Sequence, residues 1–174
     1  MSTSETNRRH PNVINLDEID ARSTEKGTKF GASFKQLGSS TGASAVGCNW
    51  FEVAPGRSAF PFHYHCAIEE AIFVISGRGT LRIGEESVLL RPGDYVTFSA
   101  GPDNAHRLDN TGSTPLQYLC MSSRAVADVV GYPDSGKIAA VANPRANFFD
   151  QPWVRGIYRA EETVDYYEGE DVGR

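Results

Sequence analysis

Residues 56–77 read Gly56-Arg-Ser-Ala-Phe-Pro-Phe-His63-Tyr-His65-Cys-Ala-Ile-Glu-Glu70-Ala-Ile-Phe-Val-Ile-Ser-Gly77. Two histidines separated by one residue precede a carboxylate that begins an apolar run. Side chains alternate across a strand, so His63 and His65 are predicted to point to one face. Imidazole nitrogens and carboxylate oxygens are common ligands of divalent transition metals. The stretch therefore predicts strands that carry most of a metal site.

A second segment supplies another histidine and reads Pro92-Gly-Asp-Tyr-Val-Thr-Phe-Ser-Ala-Gly101-Pro-Asp-Asn-Ala-His106-Arg-Leu-Asp-Asn110. The chain has four histidines, and only His10 lies outside these two segments, in a polar leader. In a small barrel, inward positions of neighbouring strands converge on a common interior. We therefore predict one mononuclear metal site with one or two coordination positions open for a ligand. The predicted metal ligands are His63, His65, Glu70 and His106.

Two neighbouring residues compete with this ligand set. Glu69 is an alternative to Glu70, but Glu70 begins the apolar run and lies seven residues before Gly77, whereas Glu69 is expected to face solvent. Cys66 follows His65 directly and offers a thiolate. Alternation along the strand turns Cys66 away from the histidines, so we predict a buried structural thiol there.

Short strand-like runs separated by Gly and Pro turns fill the chain from about residue 30 onward. This spacing is typical of a β-sandwich or a small barrel. The sequence has no long segment with a 3.6-residue period, so it does not predict a parallel βαβ arrangement. Arg91-Pro-Gly-Asp94 predicts a type II turn. The predicted strands are Phe30–Leu37, Ala45–Ala54, Ala59–His65, Ala71–Ser76, Thr80–Ile83, Ser87–Leu90, Tyr95–Phe98, Ala105–Leu108, Leu116–Ser122 and Lys137–Val141.

The runs divide the chain into three parts. Residues 1–29 are predicted to be a partly disordered leader, 30–125 a barrel core, and 126–174 an extension that packs on the barrel and ends in an acidic tail. Within the extension, the aromatic segment 148–154 is expected to dock on the core, and 163–167 is expected to form a short strand or helical turn.

Composition limits the class of protein. The chain has 174 residues, of which 40% are hydrophobic and 22% are charged, as in an ordinary globular domain. Its net charge of −5 argues against a nucleic-acid partner, and no apolar run is long enough to cross a membrane. No secretory signal is visible. Three widely spaced cysteines form no disulfide framework, which favours the cytoplasm.

With these residues in place, the chain resembles a cupin. The first cupin motif is matched by Gly56, His63, His65, Glu70 and Gly77, with one extra residue before His63. The second is matched by Gly93, Gly101, His106 and Asn110; Ser99 replaces the usual Pro, and four residues rather than two separate Gly101 from His106. The resemblance implies an all-β double-stranded β-helix, or jelly-roll, barrel and a homodimer.

The resemblance leaves the activity open. The flanking segments resemble bacterial single-domain cupins that are sometimes labelled sugar-phosphate isomerase-like or dioxygenase-like. A bound divalent ion (Fe, Mn, Zn or Ni) would support an isomerase or dioxygenase acting on a small oxygenated metabolite. The same site would also serve a non-catalytic sensor that binds a small ligand. The general base is unassigned, with Glu70, Tyr64 and Tyr118 as candidates.

Overall fold

Short antiparallel strands are the main secondary structure of the protein. The computed structural model describes residues 10–142 and 153–173. Helix within these residues is limited to the four-residue α1, Leu37–Ser40, and the 3-10 turns Leu16–Glu18, Pro102–Asn104 and Pro133–Ser135. The strands described are β1 Arg22–Lys26, β2 Phe30–Gln36, β3 Val46–Val53, β4 Tyr64–His65, β5 Glu70–Ser76, β6 Gly79–Ile83, β7 Glu86–Leu90, β8 Tyr95–Phe98, β9 His106–Asp109, β10 Leu116–Ser123, β11 Ala127–Tyr132, β12 Lys137–Ala142 and β13 Val154–Arg159.

The strands form three sheets. The largest has the order β1-β2-β3-β10-β5-β8, a second has β7-β6-β9, and a third has β13-β12-β11-β4. The first sheet combines strands that flank the histidine motifs, β1, β2, β3 and β10, with strands that lie within them, β5 and β8. The third joins β4, which carries His65, to the C-terminal strands.

The predicted closed barrel is wrong for the described residues, because the sheets are not joined by continuous ladders. Isolated bridges at Phe30–Ser58, Ser58–Asp109 and His63–His106 link the segments instead. The predicted strand over 59–65 shrinks to β4, of two residues. Pro61 lies in this segment and has no N–H to donate to a ladder, which accounts for part of the interruption.

Most other predicted strands are confirmed. β2, β3, β5 to β10 and β12 lie within one or two residues of their predicted positions. The turn is confirmed as well, since the Asp94 backbone N–H donates to the Arg91 carbonyl at 3.1 Å and Gly93 has φ of 93°. Of the two alternatives for residues 163–167, the strand is absent and a turn covers residues 166–169, whereas residues 148–152 lie outside the described residues.

The hydrophobic core lies between the six-stranded and three-stranded sheets, as in other two-layer β folds. The six-stranded sheet contributes Phe34, Phe51 and Tyr118, whose rings stack in series at centroid distances of 5.8 and 5.4 Å. The three-stranded sheet contributes Leu81, Leu90 and Leu108. Burial of each large aliphatic side chain stabilises the fold by about 1.5–3 kcal/mol. None of the described helices is long and apolar enough to span a bilayer.

Candidate metal centre

The four predicted ligands lie close together around the Glu70 carboxylate. The Glu70 Oε2 atom lies 3.3 Å from His106 Nε2, 3.5 Å from His65 Nε2 and 3.8 Å from His63 Nε2. Potential ligand atoms of His63, Glu70 and His106 all lie within 4.8 Å of one another. His65 is outside that tightest group but contacts it through Glu70.

Backbone pairing brings the two histidine motifs together. The His63 N–H donates to the His106 carbonyl at 3.1 Å, and the His106 N–H donates to the His63 carbonyl at 2.8 Å. His106 begins β9, and Glu70 begins β5. Although His63 precedes β4 rather than lying in it, this reciprocal bridge holds it opposite His106.

The outer nitrogen of each imidazole has an oxygen partner. His63 Nδ1 lies 2.8 Å from the Pro61 carbonyl oxygen, and His106 Nδ1 lies 3.0 Å from the Asn104 carbonyl oxygen. His65 Nδ1 lies 2.5 Å from Oδ2 of Asp128. Because these oxygens are acceptors, each Nδ1 carries a hydrogen, and in the neutral ring the Nε2 lone pair is free.

The converging atoms are therefore Nε2 lone pairs and a carboxylate oxygen. Such a group offers electron pairs and no proton of its own in the neutral tautomers. A cation satisfies all four at once, and imidazole with carboxylate is a usual donor set for divalent transition metals. A buried His-Glu-His cluster of this composition fits a divalent ion.

Electrostatics keeps Glu70 ionised and His63 neutral. Burial alone would raise the pKa of Glu70, but the contact with His106 and the charges that His65, His63 and His106 carry when protonated outweigh burial and lower it to about 2. Burial, reinforced by His106, lowers the pKa of His63 to about 4. Both groups are thus in the protonation state that a metal ligand needs at neutral pH.

Apolar and weakly polar side chains surround the cluster. The Phe98 ring stacks on His106 with centroids 3.6 Å apart and an interplanar angle of 7°. Phe60 and Tyr132 lie 6.1 and 6.3 Å from the His63 ring. The Cys120 thiol lies 3.9 Å from Oε1 of Glu70, the oxygen turned away from the histidines. This shell limits the water that reaches the cluster from the core side.

The two competing residues lie away from the histidines. Glu69 is exposed, as predicted. The prediction of a buried thiol at Cys66 is wrong, because that residue is exposed. β4 ends at His65, so Cys66 lies in the following turn, where strand alternation no longer determines burial.

Sequence reasoning missed Asp128. This buried carboxylate on β11 contacts His65, although it lies 63 residues away along the chain. The available signal is a single acid among apolar residues in Val126-Ala-Asp-Val-Val130, a run that was not identified as a strand.

Comparisons with known proteins show what the chain is similar to. Residues 49–122 match the family described as Cupin domain. An uncharacterised protein of Methanocaldococcus jannaschii is 31% identical over 70 residues, which is 40% of this chain and 54% of that protein. Quercetin 2,3-dioxygenase of Bacillus subtilis is 32% identical over 76 residues, which is 43% of this chain and 23% of the enzyme. The matches thus span about half of the first relative and under a quarter of the second.

Among solved structures, one described as a sugar phosphate isomerase from a cupin superfamily, from Silicibacter pomeroyi, superposes with a TM-score of 0.73. The sequences are 24% identical, and the superposition covers 84% of this chain and 92% of that one. At this identity the likeness shows a shared jelly-roll type of fold and does not transfer an activity.

Proposed function

We propose that this chain, a small cupin-type protein, binds one divalent metal ion and is an enzyme acting on a small oxygenated metabolite. The observation that carries the proposal is the convergence of three Nε2 atoms on one carboxylate oxygen at 3.3–3.8 Å. The proposed ligands are His63, His65, Glu70 and His106. Three imidazoles and one carboxylate leave open positions on a five- or six-coordinate ion, where a substrate oxygen would bind.

The protein's own residues would hold and shield the reacting group. A bound divalent ion supplies a Lewis acid for a carbonyl or hydroxyl oxygen of the substrate. Pro61, Asn104 and Asp128 fix the imidazole rings, and Phe98 and Phe60 provide an apolar surface beside them. Isomerase and dioxygenase reactions both fit such a site, since each begins with an oxygenated ligand at the metal.

A non-catalytic binding role is the second candidate, and the surroundings of Glu70 favour it. Tyr118 is buried, and its pKa is raised well above the ordinary value by burial, then by Cys120 and Glu70. The Tyr64 ring packs on Gly131 of β11, and Glu70 itself contacts three histidines. Tyr118 is thus held in its protonated form and Glu70 is engaged by the histidines, so neither is well placed to shuttle a proton.

Elemental analysis tests the metal site. Protein purified without added metal should contain about one divalent ion per chain. The double variant His63→Ala/His65→Ala should lose most of it, whereas His10→Ala, an exposed histidine in the leader, should retain it. Stoichiometric metal in the double variant would exclude the proposed ligands.

Turnover distinguishes the two candidate functions. The metal-loaded protein should be incubated with a panel of aldose and ketose phosphates, and separately with oxygenated aromatic compounds while oxygen uptake is recorded. A new product that is absent with the double variant supports an enzyme. Saturable binding by calorimetry with no product supports a sensor or carrier.

The remaining expectations are proposals of their own. A homodimer is supported by the exposed Phe73, Ile75 and Tyr95, of which Phe73 and Tyr95 are paired across β5 and β8. Sedimentation velocity tests it.

Three free cysteines support a reducing compartment such as the cytoplasm. We also retain the division into leader 1–29, core 30–125 and extension 126–174.

A further inference from the structure

Asp128 is a buried carboxylate whose two oxygens have different partners. Asp128 as a whole is only 8% exposed to solvent. The Oδ2 atom lies 2.5 Å from His65 Nδ1. The Oδ1 atom accepts hydrogen bonds from the backbone N–H groups of Cys66 at 3.1 Å and Ala67 at 2.9 Å. One side chain therefore holds both the His65 ring and the turn that follows it.

His65 differs from the other two histidines in how its ring is held. His63 and His106 pair with backbone carbonyls, which any residue at 61 or 104 would supply. His65 pairs with a side chain from another part of the chain. A carboxylate fixes the tautomer and increases the basicity of the far nitrogen more than a carbonyl does, because the hydrogen bond is charge-assisted.

The strand that carries Asp128 also fixes the backbone of β4. Val130 is paired with His65 and Gly131 with Tyr64. The Cys66 N–H additionally donates to the Val129 carbonyl at 2.9 Å. Since β4 has only two residues, the position of His65 depends on these contacts with β11, together with the hydrogen bond from the Gly101 N–H to the His65 carbonyl at 2.8 Å.

We infer that Asp128 is a positioning residue that aims His65 Nε2 at Glu70, so that strand β11 completes the metal centre. The inference rests on the proposed metal site. It assigns a role at the centre to a segment outside residues 49–122, the part of the chain that matches the Cupin domain family.

The tip of the same hairpin supplies a matched control. Asp134, in the turn between β11 and β12, accepts from Arg82 at 2.8 and 2.9 Å. It is about half exposed and touches none of the proposed ligands in the contacts described. Asp134→Asn thus changes an acid of the same hairpin without altering the support of His65.

The test is the affinity for Zn²⁺, measured by competition with a chromophoric chelator. Asp128→Asn keeps one acceptor oxygen, enough for His65 or for the backbone N–H groups but not both. We expect it to weaken Zn²⁺ binding by about 10- to 100-fold. Asp134→Asn should bind like the original protein. In a His65→Ala background, Asp128→Asn should cause no further loss, since Asp128 acts through His65.

Other outcomes overturn the inference. Unchanged affinity in Asp128→Asn contradicts it. An equal loss with and without His65 would show that Asp128 acts on the fold alone, and the melting temperatures of the variants report that directly.

If the original protein binds no Zn²⁺, the proposed metal site fails while the positioning role is still measurable. Long-range proton–nitrogen NMR of the metal-free protein at mildly alkaline pH should show His65 as the Nδ1–H tautomer. Asp128→Asn should shift His65 towards the other tautomer. No shift would overturn the positioning role independently of any metal.

Discussion

At the scale of single residues, the site depends on where each imidazole places its hydrogen. Oxygen acceptors at 2.5–3.0 Å take the Nδ1–H of all three rings. The Nε2 atoms are then left to face Glu70. A buried carboxylate surrounded by lone pairs is poorly satisfied without a proton or a cation. Glu70 is therefore positioned to bind a cation.

The charge of Glu70 is expected to be essential for metal binding. Glu70→Gln preserves shape but removes the negative charge, so we expect metal affinity to fall at least about 100-fold. Isothermal titration with Zn²⁺ or Mn²⁺ measures the change. Glu69→Gln alters the adjacent, exposed carboxylate and should leave affinity unchanged. The reverse result would identify Glu69 as the ligand.

Metal affinity should fall as the pH is lowered, because protons and the ion compete for the same Nε2 lone pairs. Burial alone would lower the pKa of His65, but the hydrogen bond to Asp128 and the charges of Glu70 and Asp128 outweigh burial and raise it above the ordinary 6.5. Competition at His65 therefore begins on the alkaline side of 6.5.

His63 contributes at lower pH, since its pKa is about 4. The protonation of His65 should thus lower the apparent binding constant above pH 6.5, and that of His63 should lower it near pH 4. Chelator competition across this range measures both. An affinity that is constant from mildly alkaline pH down to pH 5 would contradict the competition at His65.

At the scale of elements, the turn after β5 favours glycine for both conformational and steric reasons. Gly77 has φ of 81°, and a Cβ added there would lie 2.4 Å from the Pro115 carbonyl oxygen and 2.8 Å from the Leu116 Cα. Both are backbone atoms, so the clash cannot be relieved by rotating a side chain. We expect Gly77→Ala to destabilise the protein by about 3 kcal/mol or more.

Gly93 is the matched control for this substitution. It also has a positive φ, of 93°, but a Cβ there would meet no atom within 4 Å. Gly93→Ala should cost only the strain of the backbone conformation, about 1 kcal/mol. Urea denaturation compares the two free energies of unfolding. Equal decreases in the free energy of unfolding would show that the contacts with Pro115 and Leu116 add nothing to the cost at Gly77.

The elements also show which features the sequence could predict. β5 to β10 were found because apolar residues alternate between turns rich in Gly and Pro. β1, with the sequence Arg-Ser-Thr-Glu-Lys, is exposed along its whole length, so no hydrophobic alternation marks it. β4 was predicted too long because alternation does not register the loss of a donor at Pro61.

The same limit explains why part of the site was missed. His63, His65, Glu70 and His106 belong to two short motifs, so residue type and spacing identified them. Asp128 belongs to the site only because β11 pairs with β4. That pairing is non-local, and it joins segments whose individual patterns are weak. Residue types and their spacing in one sequence do not reveal such a contact.

At the scale of the whole molecule, the core and the candidate centre are adjacent but separable. Val53, Val74 and Leu116 are fully buried in the six-stranded sheet, and none of them is a proposed ligand. A core of this size does not need a metal ion to hold it together, unlike a zinc finger. The ion would therefore add stability to a protein that is already folded.

Metal removal should consequently lower the melting temperature without unfolding the chain. Dialysis against a chelator should leave the far-UV circular dichroism spectrum and a cooperative thermal transition intact. Returning metal at about 100 times its dissociation constant should stabilise the native state by about 2.7 kcal/mol through mass action. The His63→Ala/His65→Ala variant should show no such response, because it lacks two of the ligands. A chelated protein that loses cooperative unfolding would show instead that the sheets depend on the ion, since His63 and His106 form one of the bridges between them.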